Sequence, residues 1–65
     1  MKANIRAIRR SKGLSVKALA RMVGVSAMSI YRYETGHRIP DVDVAAKIAD
    51  NLGVTIEELI EKKAG

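Results

Sequence analysis

The residues best suited to chemistry in this chain are its cations, and the chemistry they suit is anion binding. Lys2, Arg6, Arg9, Arg10, Lys12, Lys17, Arg21, Arg32 and Arg38 all lie within residues 1–40, against a single acid, Glu34. Beyond residue 40 the sign reverses: Lys47, Lys62 and Lys63 stand against Asp41, Asp43, Asp50, Glu57, Glu58 and Glu61. A merely solubilising surface would mix signs throughout, so this segregation places a polyanion against the N-terminal part of the net +5 chain. Catalytic chemistry has no comparable set. One His, no Cys, and carboxylates gathered in the last two helical stretches give no nucleophile, base and orienting group together, so an enzyme is not expected. Without a His or Cys cluster, neither a metal site nor a cofactor is expected.

The elements that must position these cations read as helices. Sixty-five residues make one domain, 1–65, with no disulfide to support it and no Phe or Trp. Its core must come from Leu, Ile, Val, Ala and Met, and its stability from tight helical packing, a partner subunit, or both. No strand alternation or repeat is present, so the expected class is all-α. Ile5, Ile8 and Arg9 recur at helical spacing in a first helix that ends at Ser11-Lys12-Gly13, and Leu14 re-enters the core. Ser15 caps a second helix with Val16, Leu19, Ala20 and Val23 inward. Gly24 stops it, and Ser26 caps a third helix running from Ala27 through Glu34 to Thr35-Gly36. Asp41 opens a fourth, whose buried stripe is expected to be Val42, Ala45, Ile48, Ala49 and Leu52. Thr55-Ile56-Glu57-Glu58 is a capping box for a fifth, expected to run through Ile60 or a little beyond. Lys62 and Lys63 follow at its far end, and Ala64-Gly65 are expected to fray. The longest uncharged stretch, Met22 to Tyr31, falls short of the roughly 18 apolar residues of a membrane span. The basic start runs into further charge rather than into a secretory apolar region, so a cytoplasmic protein is expected.

The second and third helices meet the needs of a helix-turn-helix at about Val16 to Glu34: a tight glycine turn, a small residue, Ala20, at the crossing, and Ile30 reaching back into the shared core. A plain helical hairpin can use Ala and Gly in the same way, so that pattern alone leaves both open. Further matches extend along the chain: Ile8-Arg9, Gly13-Leu14-Ser15, Leu19-Ala20, Gly24-Val25-Ser26, Ile30, Arg32-Tyr33-Glu34-Thr35-Gly36, Arg38, Pro40, Ile48-Ala49 and Leu52-Gly53-Val54. With these the sequence resembles the Cro/phage-repressor type (lambda-repressor-like) of helix-turn-helix DNA-binding domain. The resemblance implies a compact five-helix bundle whose third helix enters the major groove of double-stranded DNA, commonly as a homodimer on a two-fold site. The expected role is then a transcriptional regulator, a repressor first, of nucleoid-associated or phage-encoded kind.

The resemblance also implies that Arg9 of the first helix pairs with Glu34 of the third. The pair is read here as structural, with a weak surface pair as the alternative. The expected base readers are Ala27, Met28, Ser29, Tyr31 and Arg32. Ala27 and Met28 offer only apolar contact, suited to thymine methyls, so polar readout falls on Ser29, Tyr31 and Arg32. Arg32 is the candidate for a bidentate guanine contact, with a phosphate contact as its alternative. Tyr33 points elsewhere and is assigned to the core edge. Val16 stands where the family often has a Gln that braces phosphate and recognition helix, so that brace is missing. Ser15 and Lys17 at the second helix, and Thr35, His37 and Arg38 after the third, are the expected phosphate contacts, although His37 taken alone reads first as an ordinary solvent-exposed loop residue. One short helix touches few base pairs, which argues for a homodimer, with Val54, Ile56, Leu59 and Ile60 as its expected interface. The competing reading is a protein-interaction module of the same fold, antitoxin-like or an assembly partner, with weak and non-specific DNA binding.

Overall fold

The computed structural model describes residues 2–61, and within them four of five helices open on a side-chain cap written into the sequence. They are α1 (Ile5–Ser11), α2 (Val16–Val23), α3 (Ala27–Thr35), α4 (Val42–Leu52) and α5 (Ile56–Leu59). Ser15, Ser26 and Asp41 each accept a backbone N–H three residues on, at 3.0, 3.1 and 3.0 Å. Thr55 and Glu58 close the expected capping box reciprocally, Glu58 N–H to Thr55 Oγ1 at 3.1 Å and Thr55 N–H to Glu58 Oε1 at 2.9 Å. These bonds satisfy donors that a helix start leaves unpaired, and so fix where each helix begins.

The core is built from all five helices. Ile5, Leu19, Ala20, Val23, Ile30, Tyr33, Ala45, Ile48, Ala49, Leu52 and Leu59 are buried together, with Ile8, Leu14, Val16, Val25, Ala27, Val44 and Val54 packed around them. In α4 the expected stripe holds from Ala45 to Leu52, but Val42 is 77% exposed. Helical side chains lean toward the N-terminus, and Val42, the first residue of α4, has no preceding turn to lean on. Val44 packs against the core.

Two expectations at the C-terminal end are corrected. The fifth helix stops at Leu59 instead of continuing through Ile60. Ile60–Glu61 (β2) pair antiparallel with Lys2–Ala3 (β1), in the register Lys2 to Glu61 and Ala3 to Ile60. The Leu59 carbonyl accepts from Asn4 N–H at 2.6 Å, so the turn that would have prolonged the helix is replaced by a ladder to the N-terminal segment. The domain is therefore all-α with one two-residue β-pair closing its ends. Leu59, expected at a dimer interface, is fully buried in the protomer's own core. The expectations for Lys62, Lys63, Ala64 and Gly65 lie outside the described residues, as does the side chain of Ile60. No helix among the described residues is long and apolar enough to cross a membrane.

Candidate nucleic-acid interface

Two helices set the geometry of the basic region, and Gly24 sets the angle between them. Gly24 lies at φ 83°, where a side chain is disfavoured, and both it and Val25 donate their N–H groups to the Ala20 carbonyl, at 2.8 and 3.0 Å. The chain thus turns within Gly24-Val25-Ser26. Ala20 is buried and small enough to let α3 pass close, and Ile30 fills the shared interior. The inward face of α3 is Ile30, Tyr33 and Glu34.

Glu34 is the only acid within residues 1–40, and it is neutralised from inside. Arg9 grips it with two bonds, Nε to Oε2 at 2.6 Å and Nη2 to Oε1 at 3.1 Å, and uses Nη1 to donate to the Leu14 carbonyl at 2.8 Å. Arg6 adds Nε to Oε1 at 3.2 Å. Burial pushes the Glu34 carboxyl up, but the hydrogen bonds and charges of Arg9 and Arg6 outweigh it and hold the group below its ordinary range. The bond to Glu34 in turn raises the Arg9 guanidinium against the opposing effect of burial. With both Arg9 and Glu34 buried, this is no surface pair. It ties α1, the α1–α2 turn and the end of α3 into one unit. Arg6 was not singled out from the sequence; a cation three residues before Arg9, on the same helical face, was the signal available.

The outward face of α3 is narrower than the sequence reading expected. Met28, Tyr31, Arg32 and Thr35 follow one another at helical spacing and share it. Met28 is 56% and Tyr31 52% exposed, and Arg32 is exposed with them. Ala27 is half-buried against the core, and the half-buried Ser29 has its hydroxyl 3.0 Å from that of Ser26, inside the cap. These two flank the face. Tyr33, two positions from Tyr31, is buried as expected.

At the C-terminal end of α3, Gly36 takes φ 82° and turns the chain so that His37 and Arg38 donate their backbone N–H groups to the Arg32 carbonyl at 3.0 and 3.2 Å. Both side chains are exposed beside the α3 terminus. Thr35 Oγ1 donates to the Tyr31 carbonyl at 2.9 Å and lies 2.8 Å from His37 Nδ1. Ser15 and Lys17 are exposed at the start of α2, with Arg21 one turn further on. Of the remaining residues expected at a dimer interface, Val54 is half-buried against the core and Ile56 is 36% exposed. Among the described residues no group of His, Cys, Asp and Glu is arranged to hold a metal ion.

A five-helix core presenting the outer face of α3 beyond a three-residue turn defines a helix-turn-helix domain of the Cro/phage-repressor type. The chain belongs to the helix-turn-helix (HTH_3) family, whose model matches residues 5–59. It is 42% identical over 57 residues to a Methanocaldococcus jannaschii protein provisionally named an HTH-type transcriptional regulatory protein, a match taking in 88% of this chain and 18% of that one. The chain thus spans about a fifth of the length of that archaeal relative. It is 33% identical over 55 residues to the uncharacterized HTH-type transcriptional regulator YazB of Bacillus subtilis, covering 85% of this chain and 80% of that one. Among solved structures it is similar to the P22 c2 repressor protein in complex with a synthetic operator, with TM-score 0.83 and 28% identity over 88% of this chain and 86% of that one.

Proposed function

We propose that this chain binds double-stranded DNA sequence-specifically, with α3 in the major groove, and that it regulates transcription, most simply as a repressor. The observation that carries this reading is the division of α3. Its inner face is locked by Ile30, Tyr33 and the Arg9–Glu34 pair, while Met28, Tyr31 and Arg32 stand outward. A major groove about 12 Å wide admits a helix held in this way. Residues 1–40 carry no carboxylate besides the buried Glu34, so nothing acidic on this stretch repels a phosphate backbone. Similarity to a repressor solved with its operator points the same way.

In this reading Arg32 donates to guanine, while Met28 and the Tyr31 ring supply apolar contact. Ala27 and Ser29 act at the margin. Lys17, Ser15, Thr35, His37 and Arg38 meet phosphates, where they position the protein without reading sequence. A homodimer completes a two-fold site. With Leu59 committed to the core, its apolar contribution comes from Ile56 and the exposed edge of Val54. Selection from a random duplex library, followed by salt titration of the winning site, tests the proposal. An enriched, two-fold site supports it; weak binding indifferent to sequence overturns it in favour of a protein-interaction module, for which the exposed Met28 would be the anchor. Sedimentation of the protein with that site tests the dimer, and a one-to-one complex rejects it.

A further inference from the structure

The outer face of α3 is defined by what it lacks. Its first position, Met28, is exposed and has no hydrogen-bond donor; its thioether is at most a weak acceptor. The next, Tyr31, offers a ring and a phenolic O–H that donates or accepts as its partner requires. Only Arg32 has a fixed polarity, donor alone, and it lies four positions after Met28 on the same face. The helix has no Asn, Gln or Asp, and its one carboxylate is turned inward onto Arg9 and Arg6. Away from Arg32, Met28 and Tyr31 present no group of fixed polarity, so the positions they face are not sorted by the 4-oxo edge of thymine against the 4-amino edge of cytosine. The helix does have a means of detecting the C5-methyl group that projects into the major groove.

Resting on the DNA-binding reading above, we propose that this chain recognises the pyrimidine C5-methyl group itself, through Met28 and Tyr31, beside a guanine held by Arg32. A 5-methylcytosine·guanine pair then substitutes for a thymine·adenine pair at the positions facing Met28 and Tyr31. Binding to its sites thereby responds to cytosine C5 methylation. The methyl is the same on both bases. What changes between the pairs in the major groove is that a carbonyl becomes an amino group on the pyrimidine and an amino group becomes a carbonyl on the purine, which Met28 does not sense and the Tyr31 hydroxyl accommodates by rotation. Unmethylated cytosine presents the same edge with no methyl to bury, and so binds more weakly.

The test uses the site enriched from the random library, with each thymine in turn replaced by deoxyuridine, by cytosine paired to guanine, and by 5-methylcytosine paired to guanine. At the positions facing Met28 and Tyr31, deoxyuridine should weaken binding about fourfold, the effect of removing one buried methyl. Cytosine should weaken it at least as much, and 5-methylcytosine should recover about fourfold over cytosine. The Met28→Ser protein, altered at an exposed position that leaves the core intact, should bind thymine and deoxyuridine duplexes within twofold of each other at the Met28 position. Equal affinity of the native protein for thymine and deoxyuridine duplexes at every position overturns the inference, as does equal affinity for cytosine and 5-methylcytosine. Either result leaves sequence-specific binding standing, whereas failure to enrich any site overturns the DNA-binding reading itself.

Discussion

Arg9 and Glu34, twenty-five residues apart, meet in a two-bonded pair with Nε–Oε2 2.6 Å and Nη2–Oε1 3.1 Å, and the Glu34 side chain retains 1% of its exposure. The third donor of Arg9 is used by the Leu14 carbonyl, so the guanidinium links three segments of the chain. Among the described residues no buried side-chain nitrogen or oxygen lacks a partner. Removing either member leaves the other charged and buried. Arg9→Met and Glu34→Leu should therefore each destabilise the fold by about 3–5 kcal/mol, while the double substitution should recover much of the loss because no buried charge is stranded. Arg6→Ala should cost less than about 1 kcal/mol, since Arg6 is half in water and Arg9 still holds the carboxylate. Urea unfolding of the four proteins distinguishes these cases.

The same cluster gives stability a defined pH dependence. The Glu34 carboxyl is held below its ordinary value of 4.5 in the folded chain, so the unfolded chain binds the proton more readily. The stabilisation is present above 4.5 and is lost as pH falls through the lowered folded value. Glu58, held down by its hydrogen bonds to Thr55, acts in the same direction at the surface. Thermal melts taken at descending pH should show an acid limb that is shallower in Glu34→Gln than in the native protein, and shallower still when Glu58→Gln is added. An unchanged limb in Glu34→Gln would show that its carboxyl titrates alike folded and unfolded.

How much of this arrangement the sequence disclosed depended on range. Ser15, Ser26, Asp41 and Thr55 were legible as caps because a cap is a bond over three residues, and each one forms. Tyr33 inward and Tyr31 outward followed from helical phase alone. The Arg9–Glu34 pair came from resemblance, not spacing, since nothing local joins residues in separate helices. Arg6 as a second partner went unread for the same reason. So did the Lys2–Ala3 pairing with Ile60–Glu61, too short to leave an alternating pattern. Val42 and Leu59 were misplaced for a different reason. Periodicity gives the direction of a side chain around its helix, but not whether a neighbour stands opposite it. Val42 projects past the end of the core, and Leu59 is enclosed where α5 closes on α4. Ser29 and Ala27 needed the structure too, because capping and packing claim atoms that phase alone leaves on the margin.

The burial of Leu59 separates stability from assembly at the C-terminal end. Leu59→Ala should cost about 2–5 kcal/mol in unfolding experiments at any protein concentration, because it opens a cavity in the protomer. Ile56→Ala removes a side chain that one protomer leaves partly in water, and should cost protomer stability about 1 kcal/mol, well below the loss for Leu59→Ala. If Ile56 contributes to the dimer, that substitution should shift sedimentation at micromolar concentration toward the monomer. A shift produced by Leu59→Ala alone would place the interface elsewhere.

Arg32 and Arg38 are chemically alike and close in sequence, yet the turn at Gly36 gives them different prospects. Arg32 projects from the face of α3 that carries Met28 and Tyr31, where in the proposed complex its guanidinium fork would meet the O6 and N7 acceptors of guanine. Arg38 lies past the helix end, exposed, with its backbone N–H folded back onto the Arg32 carbonyl, and in the proposed complex it neutralises a phosphate. Arg32→Ala should therefore cost about 1–3 kcal/mol on the preferred site, relax the preference at one base position, and leave binding to mismatched duplexes nearly unchanged. Arg38→Ala should weaken binding to every duplex alike and reduce the slope of log affinity against log salt by about one, as expected when one phosphate fewer is neutralised. Titrations of both variants on the selected site and a scrambled duplex, across a range of salt, measure the two effects together. Parallel losses on both duplexes for Arg32→Ala would assign Arg32 to the backbone and leave the reading to Met28 and Tyr31.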